Sequence, residues 1–367
     1  MKVLYITRKY PPSIGGMQTQ SYYFYKAISR KSNVLLISWG FSQVFLPFFI
    51  IYAAIKSIIQ LISGKIDIIQ LGDLVLSPLG VLLKSLFNKP VLAVSHGRDS
   101  AYQGLLYNFF ILGSANKLDK VICVSDYLKQ SLRLRGFCNE KLEVIPNGIS
   151  VSGADELSLD REQAISEIET ACGITLKDKK IILSVSRLVA KKGIKEFIDR
   201  IFVKIISDVE NAVFLIAGDG PEKLRIEQSI KKFGLEDRVC LIGSVEHDSC
   251  IYKALFSIAD VFVMPNIKVE GDAEGFGVVA LESSVMELPI VAYGVDGIGE
   301  AIHNKENGML IEEGNEGLFF DNLLYFLRNK DSKQKFGEKA RKYALDHFGW
   351  DIICDRYIDQ YKKILNK

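Results

Sequence analysis

Two carboxylates eight positions apart, Glu274 and Glu282, bracket the run Glu274-Gly275-Phe276-Gly277 and its apolar continuation to Leu288, just before Pro289. If that continuation is helical, its first turn presents backbone N–H groups without partners and the positive end of a helix dipole, and the glycines let an anion approach the backbone. Such a place is a seat for phosphate. Glu274 lies before the helix and Glu282 in about its second turn, so both can accept hydrogen bonds from hydroxyls on either side of the anion. A ligand with hydroxyls flanking a diphosphate, as in a nucleotide sugar, has that form. Glutamates at this spacing are also common on helix surfaces and glycines mark ordinary turns, so the stretch alone leaves both readings open.

Further candidates follow other apolar runs. Arg187 and Lys192, the latter in Lys191-Lys192-Gly193, stand after Ile181–Val185. An arginine grips two phosphate oxygens and a lysine acts as a point charge, although basic residues on a plain surface look the same in sequence. Gly218 and Gly220, in Gly218-Asp219-Gly220-Pro221, and Gly243 lie after the next runs, where they could face a base or merely turn the chain. Near the start, Tyr10-Pro11-Pro12-Ser13-Ile14-Gly15-Gly16 combines a stiff entry with bare backbone at Gly15 and Gly16, suited to a phosphate or sugar. His96, one of four histidines, ends the run from Val91 and precedes Gly97, with Asp99 placed to orient it or to cap a helix.

The elements that must position these residues read as an alternation. Val3–Ile6, Val34–Ile37, Ile66–Leu71, Val91–Val94, Val121–Val124 and Val144-Ile145 are short apolar runs separated by helical stretches. Ile181–Val185, Val213–Ala217, Val239–Ile242, Val261–Met264 and Ile290–Ala292 repeat the rhythm. This predicts an α/β chain with two doubly wound, Rossmann-like domains, whose ligands gather at the carboxyl ends of the strands. Pro146-Asn147-Gly148 and the polar stretch Ser150–Asp160 mark the join, giving domains over 1–152 and 153–349. Residues 350–367 read as an amphipathic helix through Ile353, Tyr357, Tyr361 and Leu365.

Composition excludes several classes. The charged fraction is 25 % and the hydrophobic fraction 48 %, as in a soluble globular protein rather than a disordered chain. The charge is uneven: residues 1–150 carry 17 Lys and Arg against 7 Asp and Glu, and the remainder 29 against 37. A basic half points to a phosphate-bearing partner or an anionic membrane surface, or to a solvated surface of mixed charge. Six scattered cysteines without a C-x-x-C pair, and a start that runs from Met1-Lys2 straight into a strand, lead us to expect a reduced, cytoplasmic protein without a signal peptide. Val44–Ile62 is the most apolar stretch. Pro47 and Lys56 argue against a membrane span, and a helix packed on the sheet is expected ahead of one that dips into a bilayer.

Taken together, Gly15-Gly16, Val121–Ser125, Val144–Gly148, Arg187 with Lys192-Gly193, Ala217–Pro221, and Glu274–Gly277 with Glu282 resemble the motifs of retaining glycosyltransferases of the GT-B fold, in family four (glycosyl transferases group 1). The resemblance covers essentially the whole chain and is specific for the superfamily, not for the sugar. It implies two Rossmann-like domains facing across a cleft, an N-terminal acceptor domain, a C-terminal donor domain and a last helix crossing back onto the first. It further implies that Arg187 and Lys192 bind the donor diphosphate, assisted by amides at Gly16 and at Phe276-Gly277. Glu274 would contact the donor sugar, Glu282 the ribose, and His96 would lie near the anomeric carbon. Ser186, where a glycine often precedes the arginine, and the insertion-like Asn266–Asp272 depart from the pattern.

Neither an Asp-x-Asp pair nor a His/Cys cluster of metal-ligand spacing is present, consistent with the family's metal-independent chemistry. The expectation is therefore a transferase without metal or other cofactor, taking a hexose from a nucleoside diphosphate donor to a saccharide acceptor. A lipid-linked acceptor such as an undecaprenyl-diphosphate saccharide suits a basic face beside an apolar stretch, in surface polysaccharide or lipopolysaccharide assembly at the inner face of the cytoplasmic membrane. No nucleic acid is expected as a partner. The rival readings are a nucleotide-sugar epimerase or hydrolase on the same scaffold, and a non-catalytic nucleotide-sugar-binding protein.

Overall fold

Apolar runs of four to six residues become parallel strands when helices cover both faces, and such strands need no polar alternation. In the computed structural model, which describes residues 1–13, 15–97, 104–150, 161–247 and 249–366, this is how the expected runs fold. Arg98, Asp99 and the expected hinge beyond Ser150 lie outside the described residues. The first sheet contains β1 (Lys2–Thr7), β2 (Asn33–Ser38), β3 (Ile68–Leu71), β4 (Val91–Ser95), β5 (Lys120–Cys123) and β6 (Leu142–Val144), in the order β2-β1-β3-β4-β5-β6. The second contains β7 (Lys180–Val185), β8 (Ala212–Ala217), β9 (Val239–Gly243), β10 (Val261–Met264), β11 (Ile290–Tyr293) and β12 (Met309–Ile311), in the order β12-β11-β10-β7-β8-β9. All neighbours within both sheets run parallel. β12 has no counterpart among the expected strands.

The chain divides into two compact units, one of residues 1–148, 271–276 and 348–367, the other of residues 149–270 and 277–347. Residues 271–276, which the sequence reading placed in the second domain, group with the first unit for a packing reason. A Cβ on Gly275 would stand 2.0 Å from the His96 carbonyl oxygen, so the peptide lies against the end of β4 where only glycine fits. Phe276 meets Phe348 edge-on at 5.9 Å between ring centroids.

In the first unit, helix α1 (Gly16–Lys31) packs against the helix Trp350–Leu365. Phe24 touches Tyr357 at 4.8 Å and Trp350 at 6.2 Å between centroids, and Ile353, Tyr357 and Tyr361 are buried. Leu365, expected on the same stripe, is 39 % exposed because the stripe runs past the covered surface.

Helix α2 (Leu46–Ile62) takes up most of the apolar stretch, and its burial differs from the expected packed helix. Phe49, Ala53, Ser57 and Leu61, four residues apart, are buried, while Phe48, Ile51, Tyr52, Ile55, Ile59 and Ile62 are exposed. Pro47 does not interrupt the helix. It sits in the first turn, where its missing N–H has no bond to lose.

Candidate active site

The second sheet has a topological switch point between β7 and β10. The chain leaves β7 toward β8 and β9 on one side and then returns to place β10 on the other, pairing Val261 with Ile182 and Phe262 with Leu183. Open parallel sheets bind ligands in the crevice at such a point, beyond the carboxyl ends of the strands. Arg187 and Lys192 follow β7, and the Glu282-bearing helix follows β10.

Glycines fasten these loops to one another. The Ile267 N–H donates to the Lys191 carbonyl at 2.9 Å, and Gly193, left-handed at φ 62°, leaves room for the Pro265 carbonyl, 2.0 Å from where a Cβ would be. On the other flank, the Gly218 N–H donates to the Gly243 carbonyl at 2.7 Å, and a Cβ on Gly218 would fall 1.8 Å from the Ser186 carbonyl oxygen. Gly220 similarly lies under the Leu188 carbonyl. Their bare backbone thus holds the β7, β8 and β9 loops in one ledge. On it, Arg187 is exposed, Lys192 half-buried and Lys191 buried.

Gly277, left-handed at φ 83°, heads the helix Val278–Val285. Glu282 sits in that helix with its carboxylate held from both sides. His247 Nε2 lies 3.1 Å from Oε1, and the Tyr252 hydroxyl donates to Oε2. The two rings lie against each other, 4.8 Å between centroids. Sequence reasoning missed both His247 and Tyr252, which stand 35 and 30 positions upstream of Glu282 with no local motif to mark them. The rarity of histidine was the one available signal.

The first unit carries the remaining candidates. Nε2 of His96 lies 2.9 Å from the Gly72 carbonyl; a carbonyl only accepts, so Nε2 bears the proton and the ring is fixed against the end of β3. Glu274 is half-buried in the peptide that packs on His96 and Gly97 through Gly275, while Phe276 is buried. Gly15 and Gly16 open α1 after β1, with no atom within 4 Å of a Cβ built on Gly16. His96 and Gly275 are thus brought together in the first unit. In the second, Arg187, Lys192, Gly218, Gly220 and Gly243 share one edge, with Glu282 on the helix after β10. Among the described residues no group of three or more His, Cys, Asp or Glu side chains could hold a metal ion.

Comparison with known proteins agrees with this architecture. Residues 2–152 match the family described as Glycosyltransferase Family 4, and residues 173–343 match Glycosyl transferases group 1. An uncharacterised glycosyltransferase of Methanocaldococcus jannaschii is 27 % identical over 99 % of this chain and 98 % of its own. The N-acetyl-alpha-D-glucosaminyl L-malate synthase of Bacillus anthracis is 28 % identical over 58 % of this chain, which spans half of that enzyme's length. Among solved structures, the HepE protein of Anabaena in complex with UDP-glucose shares the fold at a TM-score of 0.76, with 17 % identity over 99 % of this chain and all of its own. The two family matches together span most of the chain, which belongs to the GT-B glycosyltransferases of group 1 and is a glycosyltransferase.

Proposed function

We propose that this enzyme is a retaining, metal-independent hexosyltransferase that takes its sugar from a nucleoside diphosphate donor and delivers it to a lipid-linked saccharide at an anionic membrane surface. The observation that carries the donor reading is the placement of Arg187, Lys192 and the Gly277-headed helix after the two strands that flank the switch point. In this reading Arg187 and Lys192 neutralise the diphosphate, with amides at Gly16 and at Phe276-Gly277 adding to them. Glu282 accepts from the ribose, and Glu274 from the sugar hydroxyls. His96, its ring oriented by Gly72, lies beside the sugar. Negative charge develops on the leaving diphosphate, where fixed cations and dipoles that need not reorganise stabilise it without a metal, while positive charge develops on the sugar ring. The UDP-glucose bound by the Anabaena protein supports a nucleotide-sugar donor by analogy of fold.

The membrane part rests on α2. Its exposed face offers Phe48, Ile51, Tyr52, Ile55, Ile59 and Ile62, and Leu105, Leu106, Phe109 and Phe110 are exposed in the same unit. α2 contains Lys56 and no acidic residue, and the first 150 residues carry ten more basic than acidic side chains. An apolar face with basic surroundings suits a helix lying in the interface of an anionic bilayer. Among the described residues no helix is long and apolar enough to cross a membrane.

Thermal melting with UDP-, GDP- and ADP-hexoses, followed by product analysis with and without a lipid diphosphate saccharide, tests the proposal. Stabilisation by at least one nucleotide sugar and transfer only when acceptor is present is the expected result. Conversion of donor alone into an epimer would replace the transfer reading, and no stabilisation by any donor would overturn the donor site.

A further inference from the structure

The carboxylate of Glu282 is not left to find its own orientation. It projects from the helix Val278–Val285, yet both groups that hold it come from outside that helix. His247 lies in the connection after β9, and Tyr252 in the first turn of the helix Cys250–Ile258. Tyr252 is itself anchored: its N–H donates to the Ser249 capping hydroxyl at 3.2 Å, and its ring packs on Phe256, which stacks on Phe262 of β10. An ionised carboxylate has about four acceptor directions. His247 takes one on Oε1 and Tyr252 one on Oε2, and the side chain of Glu282 remains 15 % exposed. Among the described residues, one acceptor direction on each oxygen is left over.

We propose that His247 and Tyr252 are positioning residues that lock Glu282 to chelate the vicinal 2′- and 3′-hydroxyls of a ribose, and so make the enzyme select ribonucleoside over 2′-deoxyribonucleoside diphosphates. The inference rests on the donor reading above, in which Glu282 faces the ribose. A carboxylate free to rotate would satisfy itself with water and gain little from a second hydroxyl. Held from both sides, it offers two acceptors at fixed spacing, and a ligand lacking one hydroxyl leaves an acceptor desolvated and unpaired. His247 touches the carboxylate, and its effect on a nucleotide is expected to pass through Glu282.

Binding of UDP, GDP, ADP and CDP, each against its 2′-deoxy counterpart, is measured calorimetrically on wild type, His247→Ala, His247→Gln and Tyr252→Phe. Wild type is expected to favour the ribonucleotide by about 10-fold or more, the size of one hydrogen bond to a charged group. His247→Ala and Tyr252→Phe should weaken the ribonucleotide by a similar factor and the deoxynucleotide by less than about 2-fold, so that the preference collapses. His247→Gln, which keeps an N–H donor, should restore much of it. Equal losses for both nucleotides in the variants, or a wild type that favours the deoxynucleotide, would overturn the proposal while leaving the donor reading intact. A wild type that binds none of the eight nucleotides would overturn both. If His247→Ala does not fold, His247→Gln and Tyr252→Phe decide the question by the same ratio.

Discussion

Tyr361 donates its hydroxyl to Oε1 of Gln70, 291 positions earlier in the chain, and both side chains are buried. This bond ties the last helix to β3 in the middle of the first sheet. Removing the hydroxyl while keeping the ring leaves a buried amide oxygen without its donor, which costs about 1–3 kcal/mol. Tyr361→Phe is therefore expected to lower the unfolding free energy by that amount, read as a lower denaturant midpoint with an unchanged slope. A change below about 0.5 kcal/mol would show that water replaces the hydroxyl at no cost.

Tyr361 and two further buried tyrosines, Tyr5 and Tyr357, are expected to set an alkaline limit. Burial pushes Tyr5 up to about 12, and burial also holds Tyr357 and Tyr361 well above the ordinary tyrosine value of 10. Above pH 10 the unfolded chain releases protons that the folded chain keeps, so the folded state binds more protons and stability falls as pH rises. Melting temperature measured from pH 8 to pH 11.5 should drop most steeply above about pH 10. Tyr357→Phe should have the shallower drop. Parallel curves for the two proteins would remove Tyr357 from the account.

Much of this arrangement was readable from residue types alone. β8 is a continuous apolar run buried along its whole length, and such a run between turn signals has few other fates. Met309–Ile311 escaped because three residues between Gly308 and Glu312 carry no periodicity. The glycines were recognised as turn or ligand positions, but their partners were not. That Gly275 lies under the His96 carbonyl, or Gly218 under that of Ser186, depends on pairings remote in sequence or across strands. Glu282 was visible and its two holders were not, for the same reason. In α2, hydrophobicity was plain in the sequence. Which face is covered is decided by the neighbours of Phe49, Ala53, Ser57 and Leu61, and an all-round apolar helix does not announce it.

A ledge glycine, Gly218, and one outside the ledge, Gly234, give a paired stability test. At Gly218, φ is +144° and an added Cβ meets backbone oxygen at 1.8 Å; at Gly234, φ is +63° and nothing lies within 4 Å. Gly218→Ala combines a backbone clash with strain and should cost about 3 kcal/mol or more, whereas Gly234→Ala should cost only the left-handed penalty of about 1–2 kcal/mol. Chemical denaturation of both variants compares them. Equal losses would mean that the ledge yields without resistance.

Helix α2 separates packing from membrane attachment within one element. Ile55 and Ile59 are 55 % and 56 % exposed, so Ile55→Ser with Ile59→Ser should leave stability within about 1 kcal/mol. Phe49, fully buried with its ring 5.5 Å from that of Trp39, should cost about 3–5 kcal/mol as Phe49→Ala. Sedimentation with phosphatidylglycerol vesicles should show the serine pair released and the wild type bound. Wild-type binding undiminished in the serine pair would place the membrane contact elsewhere.

Lys192 and Arg187 follow the same strand and are not equivalent. Lys192 ends the 3-10 turn Ala190–Lys192, which is held by its link to Ile267 and by the bare backbone of Gly193, so its stem starts from a rigid point. Arg187 is exposed and brings a planar fork able to take two phosphate oxygens. In the proposed role, a fixed charge beside the leaving diphosphate acts mainly where charge develops, so Lys192→Ala is expected to lower kcat by about 100- to 1,000-fold with a smaller change in donor KM. Arg187→Lys keeps the charge and loses the fork. Its loss should fall on donor KM as well as kcat if, as proposed, Arg187 grips the ground-state diphosphate at two points. Steady-state kinetics with the donor that stabilises the protein measure both. Turnover at the wild-type rate in Lys192→Ala would remove the lysine from the leaving-group role, and with it the strongest reason for locating the reaction at this switch point.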